Sequence, residues 1–119
     1  MDDGRAGLVE SNGQRDLRLQ NEHFQTVAFL AKSLSDENRL RILMCVSNGK
    51  KSVSSIVEEL TLSQPLVSHH LKELKRSLLV TIERQGPFIY YEIADSRILD
   101  VNRTLSSIAT DLLAARRTF

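Results

Sequence analysis

The chain has 119 residues, of which 41% are hydrophobic and 26% charged, with a formal net charge of +1. This composition is typical of a globular protein, and the single cysteine excludes an intrachain disulfide framework or an all-cysteine metal site within one chain. No apolar run is long enough to span a bilayer and no signal-peptide pattern is present, so a cytoplasmic location is expected.

The charge is unevenly distributed. Residues 1–22 carry three arginines against five acidic residues, whereas residues 63–86 carry four basic residues against two glutamates. A modest, local basic excess of this kind indicates a small nucleic-acid footprint rather than a general polycation.

The first part of the chain is expected to be a tail followed by a helix. Residues 1–19 contain glycines and mixed charges but few apolar side chains, which predicts a disordered N-terminal tail, and residues 20–119 form the predicted domain. A helix is predicted from about Gln20 to Leu34. Its apolar residues cover more than one face, so the helix should be buried from two sides, one of them offered by a second subunit.

Two short helices follow. Ser35 or Asp36 can cap the first, whose expected buried stripe is Leu40, Leu43, Met44 and Val46, and Asn48-Gly49 should end it. The second is predicted from Val53 to Leu60, because its apolar residues recur at helical spacing.

The segment 63–76 is predicted to be a helix with two unlike faces. Ser63 suits an N-cap and Pro65 the first turn. Val67, Leu71, Leu74 and Leu78 form one apolar stripe. Because a short turn separates this helix from the preceding one, the pair predicts a helix-turn-helix whose second helix is offered outward.

The last elements are a hairpin and a helix. Residues 80–84 and 88–93 alternate and are rich in β-branched and aromatic side chains, with Gln85-Gly86-Pro87 between them, which predicts a β-hairpin or wing. A last helix should run from Asp95-Ser96 to about Arg116. Its apolar residues recur at alternating intervals of three and four, which predicts that it packs along a second helix as in a coiled coil. Packing onto its own domain is the alternative for these residues. The residues expected at a dimer interface are Phe24, Val27, Ala31, Ile98, Val101, Leu105, Ile108 and Leu112.

The chain resembles the ArsR/SmtB family of winged-helix transcriptional repressors. The resemblance is carried by the segment 34–43, by the Ser-Gln-Pro…Val-Ser-x-His-Leu block beginning at Ser63, and by residues 86–93. It implies a mainly α fold with a β-hairpin wing in the order α-α-α-α-β-β-α, and a homodimer that binds palindromic operator DNA.

The family's metal ligands are not matched. Ser52 and Ser54 stand where thiolate sensors carry a Cys-x-Cys pair. At the positions of the family's interfacial carboxylate/imidazole site, the two carboxylates are present as Asp95 and Asp111. Arg97 and Ile108 stand where that site has its histidines. Since zinc favours nitrogen and sulfur ligands, no metal or other cofactor is expected. The sequence does not indicate which effector the protein senses.

Each candidate site residue has an expected role. Gln64, Ser68 and His69 are expected to contact base edges, while Lys72, Lys75 and Arg76 should contact phosphates. His70 lies beside the apolar stripe, so packing within the domain is its favoured role and base contact is the alternative. The residues expected to contact DNA from this helix are Ser63, Gln64, Ser68, His69, His70, Lys72, Lys75 and Arg76, and those from the wing are Arg84, Gln85 and Gly86.

Cys45 is expected to be a buried, inert thiol, with a redox switch as the alternative. No nucleophile–base spacing, metal cluster or phosphate loop indicates an enzyme. The favoured function is therefore a sequence-specific, DNA-binding repressor released by an effector or by thiol modification. The alternative is a winged-helix protein-interaction module that does not bind DNA.

Overall fold

A computed structural model describes residues 12–116, apart from a few side chains near the start of the first helix, and the chain divides after Lys32 into two compact units. The elements are α1 (Asn12–Ser33), α2 (Glu37–Ser47), α3 (Val53–Leu60), α4 (Gln64–Arg76), β1 (Val80–Gln85), β2 (Phe88–Ile93) and α5 (Arg97–Arg116). None of the described helices is long and apolar enough to cross a membrane.

Helix α1 begins earlier than the sequence indicated. It starts at Asn12, so residues 12–19, expected to belong to the tail, are helical, and residues 1–11 lie outside the described part of the chain. The added segment is mostly Gln, Arg and Leu, which are good helix formers, and Gly13 lies in the first turn, where it interrupts little. Those apolar side chains of α1 whose burial is described are exposed, including Phe24 at 61% and Val27 at 44%.

The core of the second unit is formed where α2, α3 and α4 meet the start of the hairpin. Its buried apolar side chains are Ile42, Leu43, Cys45, Val46, Ile56, Val67, Leu71, Leu74, Leu79 and Val80. Asp36 caps α2 by accepting hydrogen bonds from the backbone N–H groups of Asn38 and Arg39, which satisfies donors that a helix start would otherwise leave unpaired.

Two predicted stripes are corrected by this packing. In α2, Ile42 and Cys45 are buried, whereas Met44 is 38% exposed and Leu40 only half-buried. Helix α4 ends at Arg76, so Leu78 does not continue its stripe; Leu78 is 77% exposed with a φ of +65°. Leu79 enters the core in its place, because the left-handed residue before it turns the chain into β1.

The helix-turn-helix is α3 and α4 with the turn between them. Thr61 ends α3 in the left-handed conformation, with φ 56° and ψ 46°. Ser63 then caps α4, its hydroxyl accepting a hydrogen bond of 3.3 Å from the backbone N–H of Leu66. The boundaries of α3 and the N-cap of α4 confirm the sequence prediction.

The hairpin pairs β1 and β2 antiparallel, with Gln85 opposite Phe88 and Val80 opposite Ile93. Gly86 has a φ of +63° at the first central position of the two-residue turn, which is where tight hairpin turns of the primed types favour glycine. Lys51 exchanges two backbone hydrogen bonds with Tyr91, of 2.9 and 2.8 Å, so the segment before α3 is joined to the wing.

Candidate nucleic-acid interface

The two faces of α4 differ as its sequence predicted. Val67, Leu71 and Leu74 are fully buried against the core of the second unit. The opposite arc of the helix is exposed, and its side chains are Gln64, Ser68, His69, Lys72, Lys75 and Arg76. The apolar side thus fixes the helix, and the polar side faces outward with groups that can bond to bases or phosphates.

The three basic side chains of this face make few ion pairs within the described part of the chain. Arg76, with a largely exposed side chain, lies 3.5 Å from the partly buried Glu73 one turn earlier. Lys72 and Lys75 have no ion-pair partner among residues 12–116. Their charge is therefore available to a polyanion, and binding one would not first require an internal ion pair to break.

His70 is not part of the exposed face, which corrects its assignment to DNA contact. It is 5% exposed and lies within the apolar arc of α4. Its Nε2 atom is 3.7 Å from a carboxylate oxygen of Asp36, and burial lowers its pKa. Helix α4 is here called the recognition helix, because its polar face is expected to contact bases. Its relation to the cap of α2 had no signal in the sequence, because His70 and Asp36 are far apart along the chain.

The wing presents fewer groups than the helix. Arg84, Gln85 and Gly86 are all exposed, in keeping with their expected position at the hairpin tip. The Gln85 side chain donates to the Glu83 carboxylate, which also accepts from Lys50 at 2.7 Å. Arg84 is thus the cation that the tip can offer to DNA, whereas Lys50 is paired with Glu83 of β1.

Cys45 is buried, as expected, at 3% exposure. Its thiol donates a 3.0 Å hydrogen bond to Glu59, and that carboxylate also holds Lys51 at 2.6 Å. Burial, together with the bond to Glu59, raises the pKa of Cys45 to about 11. The thiol is therefore held in its protonated, weakly nucleophilic form.

Apolar side chains follow one face of α5. Val101, Leu105, Ile108 and Leu112, here called the α5 stripe, are 47–65% exposed. Ile98 was expected to join them, but it is half-buried and packs against the core of its own unit. The difference arises because Ile98 lies in the first turn of α5, next to the end of the hairpin.

Two positions that correspond to family metal ligands have structural roles. The Ser52 hydroxyl caps α3 by accepting a hydrogen bond from the backbone N–H of Ser55. The Asp95 carboxylate is bound by the Arg97 guanidinium at 2.7 Å, which lowers the pKa of Asp95 to about 2.

The comparisons with known proteins agree with this geometry. The model of the arsR family of bacterial regulatory proteins matches residues 36–81. An uncharacterised HTH-type transcriptional regulator of Methanocaldococcus jannaschii is 32% identical over 88 residues, covering 73% of this chain and 99% of the relative. The arsenical resistance operon repressor of Staphylococcus aureus is 32% identical over 87 residues, or 73% of this chain and 84% of that protein.

A similar structure supports the same fold. The solution structure of a homodimeric winged helix-turn-helix DNA-binding domain from Mycobacterium bovis aligns with a TM-score of 0.67 at 25% sequence identity. The alignment covers 87% of this chain and 90% of that domain. The predicted winged helix-turn-helix fold is thereby confirmed.

Proposed function

The chain belongs to the arsR family of bacterial regulatory proteins, which makes it a DNA-binding transcriptional regulator rather than an enzyme, and we propose that it represses transcription as a cytoplasmic homodimer on a palindromic operator. The observation that carries this proposal is the exposed polar arc of α4, which is fixed by a buried apolar back.

Each group on the arc has a separate role. Gln64, Ser68 and His69 read base edges in the major groove, and Gln64 suits adenine because its amide can both donate and accept. Lys72, Lys75 and Arg76 bind phosphates, which sets the affinity and the register of the helix on the duplex.

The homodimer forms through the α5 stripe. Four apolar side chains that are each about half exposed on one helix face are costly to leave in water, and a second copy would cover them. A two-fold axis then repeats the α4 arc, so that the half-sites lie about one helical turn, ~34 Å, apart.

Fluorescence anisotropy with labelled DNA from the region upstream of the protein's own gene tests this function. We expect tighter binding to that DNA than to a shuffled duplex of equal length, and steep weakening with salt as counterions are released. Equal affinity for both duplexes would refute sequence-specific repression. A complete lack of duplex binding, together with a stable complex with another protein, would favour the interaction module instead.

We further propose that repression is not relieved by a metal at the two usual family sites. Ser52 is engaged as a helix cap, and the Asp95 carboxylate is neutralised by Arg97. Binding to the upstream DNA should therefore be unchanged by micromolar Zn²⁺. Release of the DNA by Zn²⁺, reversed by a chelator, would contradict this.

A further inference from the structure

An open cleft in the second unit lies between α2, the end of α3 and α5, and its volume is about 620 Å³. That volume falls within the roughly 300–1,000 Å³ that is typical of small-molecule sites. Apolar side chains line part of it, namely Leu40, Met44 and Leu60. Met44 is 38% exposed there, although Leu43 and Cys45 on either side of it are buried. The cleft therefore offers an apolar surface that the apolar part of a ligand could bury.

The charges in the cleft favour an anion. Arg41, Arg103, Glu37 and Glu59 line it. Glu59 is already paired with Lys51 at 2.6 Å, whereas the Arg41 guanidinium donates only to uncharged oxygens and Arg103 has no ion-pair partner among residues 12–116. Among residues 12–116, two guanidinium charges thus face one carboxylate without an ion-pair partner, that of Glu37, which leaves a positive surplus.

One cleft residue also supports the helix-turn-helix. Arg41 donates a 3.2 Å hydrogen bond to the backbone carbonyl of Leu60, the last residue of α3. The turn from there to Gln64, the first residue of α4, is short. An anion bound by Arg41 would compete with this carbonyl and so alter how the end of α3 holds the recognition helix.

The cleft uses a different face of α5 from the proposed dimer contact. Asn102, Arg103 and Ser106 line the cleft. Since successive residues of an α-helix are separated by about 100°, these three positions point well away from the α5 stripe. A dimer formed through that stripe would therefore leave the cleft open to a ligand.

We propose that this cleft is an effector site for a small organic anion, a carboxylate on an apolar body, and that its occupation lowers DNA affinity. Arg103 and Arg41 bind the carboxylate, while Leu40, Met44 and Leu60 contact the apolar body. The proposed effect on DNA affinity rests on the proposed function, but binding of the anion at the cleft does not. Anion binding and DNA binding can therefore be measured separately.

Methionine labelling gives a direct probe of binding. The sequence has two methionines, Met1 and Met44, so a protein labelled with ¹³C at the methionine methyl groups has a reporter in the cleft and an internal control. Octanoate, 4-phenylbutyrate and indole-3-propionate serve as probes, and the matching neutral amides as controls. We expect at least one carboxylate to shift the Met44 resonance saturably and Met1 to stay unchanged.

Two variants test the charge. Arg103→Gln should weaken the binding of that carboxylate by about ten- to hundredfold, the loss expected for a charge-assisted hydrogen bond. Arg116→Gln, on the exposed last turn of the same helix, should leave it unchanged. The site would be overturned if no carboxylate gave a saturable Met44 shift or if the amides bound equally well. Unchanged carboxylate affinity in Arg103→Gln would also overturn it. A Met44 shift caused by dimerisation alone would identify a second copy as the occupant, and would overturn it too.

The regulatory part is tested by anisotropy on the upstream DNA with the binding carboxylate present. Coupling of ordinary strength should weaken DNA binding by about 5- to 150-fold, and Arg103→Gln should abolish this response. Unchanged DNA affinity at saturating carboxylate would overturn the regulatory role, while the site would stand on the Met44 data. Failure to bind DNA even without carboxylate would count against the proposed function, not against the site.

Discussion

His70 of the recognition helix lies with Nε2 3.7 Å from Oδ1 of Asp36, the residue that caps α2. The same carboxylate oxygen accepts hydrogen bonds from the backbone N–H groups of Asn38 and Arg39, and these bonds, that of Arg39 above all, lower the pKa of Asp36. Burial lowers the pKa of His70 despite the nearby Asp36 carboxylate. The imidazole is thus held neutral, and it links α4 to the start of α2.

Stability should fall in mild acid because of His70. Its pKa is lowered in the folded protein relative to 6.5, so just below that pH the unfolded chain binds the proton more readily. The free energy of unfolding should therefore decline as the pH falls from 7 towards 5. The contribution of ionised Asp36 to the free energy of unfolding is lost only at lower pH, since the pKa of Asp36 is below 3.8. Urea denaturation at several pH values measures the decline.

A substitution of the buried imidazole tests this assignment. His70→Asn should flatten the decline, because it removes the group whose pKa is lowered by burial. The same slope in wild type and His70→Asn would show that another group titrates. Arg39, His69 and Glu73 are the further charged or titratable groups that act on His70.

Substitutions on the α4 arc should separate specificity from affinity. Gln64→Ala should lower the preference for operator over shuffled DNA, by about 1–3 kcal/mol if a bidentate base contact is lost. Lys72→Ala should weaken binding to both duplexes alike and reduce the salt slope by about one. Competition anisotropy at two salt concentrations measures both effects. The reverse pattern would show that the base and phosphate roles are exchanged.

A charge placed in the α5 stripe should dissociate the dimer. Leu105 is 48% exposed, so Leu105→Glu should leave the fold intact while burying an unpaired carboxylate in the proposed interface. We expect dimerisation to weaken by about 2 kcal/mol or more, the range of interface hot spots. Ser107→Glu, exposed on another face of the same helix, is the control. Sedimentation velocity distinguishes the outcomes, and an unchanged Leu105→Glu dimer would place the interface elsewhere.

The Cys45 thiol should react slowly. A pKa of about 11 instead of 9.0 reduces its thiolate fraction about 100-fold at neutral pH, and burial restricts access further. Iodoacetamide labelling followed by mass spectrometry should therefore be at least about two orders of magnitude slower than in the same protein unfolded in urea. Glu59→Gln should speed the reaction, since the carboxylate bond favours the thiol. Equal rates in folded and unfolded protein would indicate a reactive, switch-like cysteine.

The order of elements could be predicted from the sequence because it depends on local signals. The spacing of apolar residues defines α3 and the buried side of α4, Ser63 marks the start of α4, and Gly86 marks the hairpin turn. Each of these signals acts over only a few residues. The exposed arc of α4 could be predicted for the same reason, since a helix that buries one side must expose the other.

Other features depend on contacts between residues distant in the chain. Nothing local shows that His70 is buried against Asp36, that Met44 is exposed, or that Ile98 packs on its own core. The cleft is likewise a product of three helices, and its charge depends on Lys51 pairing with Glu59. Periodicity determined which elements form and which helix offers polar groups to DNA, whereas tertiary packing decided which individual side chains remain free to bind, because burial and ion pairing are set by neighbours far away in sequence.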